Sequence, residues 1–126
     1  MVKIALAGDT MLGRLCADAA STGDAAGLLA ELGVDVVTLA NNHALDYGPR
    51  ALLDAFEHLA AAGISVVGAG TDRTAARAPL RLELAGSSVT IVGVADHPAA
   101  DDAAVNRPGS PLPSWIVRFP GGSPCW

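Results

Sequence analysis

The sequence of 126 residues predicts a single α/β domain in which helices flank a layered sheet. Short apolar runs stop at polar or glycine-containing turns, which is the pattern of buried strands. Segments with helical periodicity lie between several of these runs. Apolar residues make up 51% of the chain and aromatic residues only 4%, so the core is built from Ala, Val and Leu, which favours α/β layers over a β-sandwich.

Five apolar runs predict the strands of this sheet, near residues 3–7, 35–40, 64–68, 80–84 and 88–95. The last two runs are separated by Ala-Gly-Ser, and a glycine in so short a connection predicts a β-hairpin. Beyond the last strand the periodicity is lost, and prolines and glycines accumulate. The sequence therefore predicts an α/β domain over residues 1–98 and an irregular tail over residues 99–126.

Three helices are predicted to connect the strands. The first ends at Gly33, and the second runs from Pro49 to Ala62 before Gly63, because glycine is favoured directly after a helix and proline in its first turn. A short third helix is predicted over residues 74–78. Helical spacing predicts the core-facing side chains of the first two helices, which are Ala25, Leu28, Leu29 and Leu32, then Leu52, Leu53, Phe56 and Leu59.

The charge and the cysteine content argue against several classes of protein. The net charge is -5 and there is no basic cluster, which argues against nucleic-acid binding. Cys16 and Cys125 lie far apart, with neither the spacing of a metal site nor that of a disulfide framework. No apolar run approaches the roughly 20 residues of a membrane span, and Asp9 follows the first run too closely for a signal peptide. The sequence predicts a cytoplasmic protein without a transmembrane segment.

Polar residues follow the second predicted strand directly. Asn41, Asn42 and His43 lie in the connection between this strand and the second helix. In open α/β sheets, ligands bind in the crevice at the carboxyl ends of the strands, so the position predicts a binding site. The alternative is an asparagine-rich turn that caps the helix.

Two further strand ends carry candidate site residues. Asp9 follows the first strand, where a carboxylate needs a partner or a metal ion to offset its desolvation, although a helix N-cap is the alternative. Asp96 and His97 follow the last strand, where Pro98 makes a plain turn the alternative. The glycine pair at residues 68–70 lacks the third glycine of a dinucleotide-binding motif, which disfavours a Rossmann-like nucleotide site.

Two motifs give the chain a resemblance to a known family. They are Gly-Asp-Thr-Met-Leu-Gly-Arg at residues 8–14 and Thr-Leu-Ala-Asn-Asn-His-Ala-Leu-Asp-Tyr-Gly at residues 38–48, supported by the stretches at 62–64, 68–70 and 92–98. Over residues 2–98 the chain resembles the CapA family of capsule or poly-γ-glutamate synthesis proteins. The resemblance implies a fold of the calcineurin-like metallophosphatase type.

The resemblance also implies roles for individual residues. Asp9 and Asn42 match metal ligands, and His43 matches the catalytic histidine that contacts the leaving group or stabilises charge. The implied cofactor is a divalent metal ion, either Mn, Zn, Fe or Mg, that activates water for hydrolysis of an anionic small molecule or polymer. The residues expected to line this site are Asn41, Arg14, Asp46, Asp96 and His97.

The sequence also departs from the family pattern. The segment that separates the two motifs in the family, and the later histidine-rich motifs, have no counterpart here, so the resemblance implies an apparently truncated chain. Its expected function is that of a CapA-like protein with metal-dependent hydrolase ancestry. The alternative is a non-catalytic remnant or binding component of the same machinery, so enzymatic activity is left open. Self-association through an exposed sheet edge is a further expectation.

Overall fold

The computed structural model describes residues 3–6, 24–95 and 108–109. All of its helices and strands lie between residues 24 and 91. The elements in chain order are α1 (Asp24–Glu31), β1 (Val36–Thr38), α2 (Gly48–Ala61), β2 (Ser65–Val67), α3 (Arg73–Arg77), β3 (Leu80–Leu84) and β4 (Ser87–Ile91). This mixture of helix and strand confirms the α/β class. No helix in the described part of the chain is long and apolar enough to cross a membrane.

The strands β1 and β2 pair in parallel, and α2 forms the connection between them. Val37 lies opposite Val66 in the register. The ladder extends by one hydrogen bond beyond β1, where the Leu39 amide donates to the Val67 carbonyl at 2.9 Å. Parallel strands require a crossover of this kind, and the result is that both carboxyl ends lie at one edge of the pair.

Both helices that precede these strands end at a glycine in the left-handed conformation. The φ angles are 74° at Gly33 and 75° at Gly63. After α2, the Gly63 amide donates to the Ala60 carbonyl at 3.0 Å and the Ile64 amide donates to the Leu59 carbonyl at 2.9 Å. This is the Schellman arrangement, which satisfies carbonyls that the helix itself leaves unpaired. The two helix ends predicted from these glycines are confirmed.

A small aliphatic core joins the two helices to the parallel pair. Ala26 of α1, Leu59 of α2 and Ile64 form its buried centre. The partly buried side chains packed against this centre are Leu29, Val37, Leu39, Ala62 and Val66. Residues two apart on a strand share a face, so Val37 and Leu39 lie on the same side of β1 and turn it towards the helices.

The strands β3 and β4 form the predicted hairpin as a separate two-stranded antiparallel sheet. Ala85 and Gly86 make its turn, with φ angles of 48° and 80°. Positive φ at both positions is the conformation of a type I′ turn, whose twist matches that of the strands it joins. Leu84 pairs with Ser87 at the turn, and Leu80 pairs with Ile91 at the open end.

Two strand predictions are wrong in part. Residues 3–6 form no strand, and Ile4 and Leu6 are 60% and 92% exposed. The apolar pattern there gives a propensity for strand, but a strand also requires a neighbour to pair with. The strand predicted over 88–95 ends at Ile91, because its partner begins at Leu80 and offers no further residues to the ladder.

The predicted apolar face of α1 also differs from the structure. Leu28 is 59% exposed and Leu32 is 79% exposed, whereas Ala26 is buried. Helical spacing groups side chains on one face but does not identify which face meets the core. On α2 the prediction holds better, since Leu52 and Leu59 are both buried.

The carboxyl ends of β1 and β2 meet the segment that follows β4. Gly68 and Gly93 are both buried, and a Cβ placed on Gly93 would lie 2.7 Å from the Gly68 Cα. A Cβ on Gly68 would lie 2.6 Å from the Ala40 Cβ. These separations are shorter than ordinary van der Waals contact, so glycine is what allows the three backbones to approach.

Gly70 joins the loop after β2 to a distant part of the sequence. Its amide donates to the Gly109 carbonyl at 3.0 Å, and the Gly109 amide donates to the Gly70 carbonyl at 3.1 Å. Both glycines are buried. A Cβ on Gly70 would overlap the backbone nitrogen of Ala76, so α3 packs directly against this bridge.

Replacement of Gly68 by alanine tests the close approach of the three segments. Gly68 and Gly63 have similar φ angles, 79° and 75°, so alanine at either position carries the same left-handed strain of about 1–2 kcal/mol. Only at position 68 does the new methyl group meet other atoms. We expect Gly68→Ala to lower the free energy of unfolding by about 1–3 kcal/mol more than Gly63→Ala, measured by urea denaturation. Equal losses in the two variants would contradict this packing.

Candidate functional site

The polar turn at residues 41–47 connects the carboxyl end of β1 to the start of α2. Its base is fixed, because Leu39 is hydrogen-bonded to β2 and Ala40 packs against Gly68. The Thr38 hydroxyl accepts from the Ala40 amide at 3.2 Å and turns the chain away from the strand. The turn therefore begins at the edge where the ends of β1, β2 and the segment after β4 converge.

His43 is held by the residues on either side of it in this turn. The Asn41 Oδ1 accepts from the His43 amide at 2.9 Å, and the His43 carbonyl accepts from the Asp46 amide at 3.2 Å. The first bond is an Asx-turn, in which a side-chain oxygen replaces a backbone acceptor. Asn41 thus fixes the backbone of the turn.

The side chains of His43 and Asp46 contact each other directly. The His43 Nδ1 lies 2.9 Å from the Asp46 Oδ2, and the two side chains are 44% and 47% exposed. A carboxylate only accepts hydrogen bonds, so Nδ1 is the donor. In the neutral ring, Nε2 then carries the lone pair, which suits it to bind a metal ion or to accept a proton.

Asn42 lies between Asn41 and His43 in the sequence and is exposed. Its carbonyl oxygen is the type of ligand that hard divalent cations prefer, and His43, the next residue, adds an imidazole nitrogen. Within residues 24–95 no group of three or more His, Cys, Asp or Glu side chains lies close enough to hold a metal ion. Asn42 and His43 are the candidate ligands in this turn that the family resemblance also indicates.

The structure brings together some of the sequence-predicted site residues. Asn41, Asn42, His43 and Asp46 lie in one turn. The other predicted site residues are Asp9, Arg14, Asp96 and His97, and they lie outside the described residues. The buried Gly93, which stands three positions before Asp96, packs against Gly68 at the same strand ends.

Two features of this region were not found from the sequence. The contact between His43 and Asp46 was missed, although the spacing of three residues within a predicted turn is a signal for it. The close packing of Gly68 on Gly93 was also missed, and its signal is the glycine near the carboxyl end of each of two predicted strands. Both features depend on non-helical backbone, which periodicity does not describe.

The described part of the chain is an α/β unit with a polar turn, Asn-Asn-His-Ala-Leu-Asp-Tyr, after the strand β1. The chain belongs to the bacterial capsule synthesis protein family PGA_cap, whose sequence model matches residues 19–114. This confirms the resemblance to the CapA family.

The chain is similar to a "probable polyglutamine synthesis accessory protein" from each of two Mycobacterium tuberculosis strains, CDC 1551 / Oshkosh and ATCC 25618 / H37Rv. In both comparisons it is 39% identical over 93 residues, which cover 68% of this chain. The matched region spans 23% of the length of these relatives.

Replacement of Asn41 separates its structural contribution from that of its neighbour. Asn41→Ala removes the acceptor of the His43 amide, and we expect the free energy of unfolding to fall by about 1 kcal/mol. Asn41→Asp keeps an oxygen at this position and is expected to retain most of the stability. The matched control is Asn42→Ala, which removes an exposed amide. If the two alanine variants lose the same free energy in urea denaturation, the Asx-turn contributes nothing measurable.

Proposed function

We propose that this chain acts in the synthesis of a capsule polymer of the polyglutamate type, through a turn with metal-dependent hydrolase ancestry. The observation that carries the proposal is the turn at residues 41–47, in which an exposed amide stands beside a histidine oriented by a carboxylate. Family membership supports the capsule assignment. The names of the two relatives refer to polyglutamine synthesis, which supports a glutamyl polyamide as the polymer.

We also propose the metallophosphatase-like layered fold that the family resemblance implies. Its support in this chain is the parallel unit of β1, α2 and β2, with polar residues at the carboxyl end of β1. Ligands bind at this edge in open α/β sheets generally. The matched region spans 23% of the length of the relatives. The layers beyond this parallel unit are proposed from the family resemblance.

A divalent metal ion fits the donors of the turn chemically. The Asn42 carbonyl oxygen and the His43 Nε2 would hold it, together with the carboxylate of Asp9. Such an ion supplies Lewis acidity and an activated water for hydrolysis. Because the chain carries a net charge of -5, a bound cation would also provide the local positive charge that an anionic polymer needs.

His43 and Asn42 have distinct chemical roles in this proposal. The Nε2 of an Nδ1-protonated ring has one lone pair, so a His43 that does not bind the ion would instead exchange a proton with the leaving group as a general acid or base. The Asn42 amide binds through its oxygen and orients the substrate through its nitrogen. A binding component without turnover would use the same two side chains, so binding and turnover are tested separately.

Titration of the purified chain with Mn²⁺ or Zn²⁺ tests the metal site. We expect saturable heat by calorimetry, and we expect Asn42→Ala, His43→Ala and Asp9→Ala each to weaken binding by about 10-fold or more, since each removes a ligand. His58→Ala is the matched control, because it deletes a histidine from α2 that lies away from the turn. Absence of heat at millimolar metal, or an equal loss in the His58 variant, would contradict the proposed site.

Turnover of a chromogenic phosphodiester distinguishes an active enzyme from a binding component. We expect little or no metal-dependent hydrolysis by this chain, because no histidine follows His97 in the sequence and the ligand set is partial. Turnover that saturates with metal and is lost in His43→Ala would contradict this expectation and identify the chain as a hydrolase by itself. Binding of poly-γ-glutamate without turnover would support the binding role.

A further inference from the structure

The carboxylate of Asp46 is used differently from that of Asp72, which also precedes a helix. Asp72 is the N-cap of α3, and its Oδ1 accepts from the amides of Thr74 and Ala75 at 2.8 and 3.0 Å. This is the usual use of an aspartate before a helix. Asp46 stands two positions before the first residue of α2, yet its Oδ2 contacts the ring of His43.

The N-cap of α2 shows that this difference has a structural cost. Tyr47 occupies the N-cap position and makes no side-chain capping hydrogen bond. An Asp, Asn, Ser or Thr at an N-cap contributes about 1 kcal/mol to helix stability, and the sequence forgoes this contribution at α2. The nearest carboxylate is directed to an imidazole instead, which is the pattern expected where a local rule yields to a functional requirement.

The contact also differs from an ordinary surface ion pair. Arg50 and Asp54 lie one turn apart on α2, where the Arg50 side chain is 85% exposed. Such helical pairs contribute little because both side chains remain solvated and mobile. His43 and Asp46 lie in a turn whose backbone is closed by the bond from the Asp46 amide to the His43 carbonyl. The backbone therefore brings the carboxylate and the ring together.

We propose that Asp46 is the positioning residue of His43: by accepting from Nδ1, it fixes the ring orientation and the tautomer that leaves Nε2 free for a ligand. Asp46 touches neither substrate nor metal and acts through His43. The assignment of the Nε2 partner rests on the proposed function, whereas the tautomer is a property of the chain itself. The proposal therefore has a test that needs no ligand.

The tautomer is measured by long-range ¹H–¹⁵N correlation NMR on the full chain with labelled histidine, at a pH where the ring is neutral. We expect His43 to carry its proton on Nδ1, and we expect Asp46→Ala to convert it to a mixture of tautomers. Asp46→Glu retains an acceptor and is expected to restore the Nδ1–H form in part. Asp54→Ala, which removes the exposed pair on α2, is the matched control and leaves His43 unchanged.

A second measurement connects the tautomer to ligand binding. Removal of the carboxylate behind a metal-binding histidine lowers metal affinity by about 10–100-fold, and we expect this loss of Zn²⁺ affinity in Asp46→Ala with partial recovery in Asp46→Glu. A wild-type His43 protonated on Nε2, or a tautomer unaffected by Asp46→Ala, would overturn the positioning role even if Zn²⁺ binds. If wild-type His43 carries its proton on Nδ1 and Asp46→Ala loses this preference, the positioning role is supported. If wild type binds no Zn²⁺, only the metal site is overturned.

Discussion

The parallel pairing of β1 and β2 is the constraint on which the rest of the described structure depends. Each strand is entered from a helix that ends at a left-handed glycine, so both run in the same direction from the same side. One face of the pair receives the helices through Val37 and Val66. Since the two strands also end at one edge, whatever follows β1 lies beside whatever follows β2.

The polar turn combines a rigid base with exposed side chains. Backbone contacts among Ala40, Gly68 and Gly93 leave no space for additional atoms below the turn. Above this base, Asn42 is exposed and His43 is about half exposed, which keeps them accessible to a ligand. The neighbours that hold this turn in place are backbone and the Asp46 carboxylate.

Much of the local structure could be predicted from the sequence, because it depends on residues close in the chain. The hairpin from Leu80 to Ile91 follows from alternating apolar residues around Ala-Gly, and the ends of α1 and α2 follow from Gly33 and Gly63. Pairing could not be predicted equally well. Residues 3–6 have a strand pattern, yet a pattern does not specify a partner, and they form no strand.

The site could be predicted in position but only partly in detail. Polar residues after an apolar strand identified the turn at 41–47, and the family motif identified the same residues. The orientation of His43 depends on a contact within an irregular turn, where no periodicity relates Asp46 to the ring. The exposure of Leu28 on α1 shows the same limit, since spacing defines a face but the neighbours decide which face is covered.

The bridge between Gly70 and Gly109 has a consequence for the order in which the chain folds. The hairpin joins Leu84 to Ser87 through a two-residue turn, whereas this bridge joins residues 39 positions apart for two hydrogen bonds. We therefore expect the bridge to form after the hairpin.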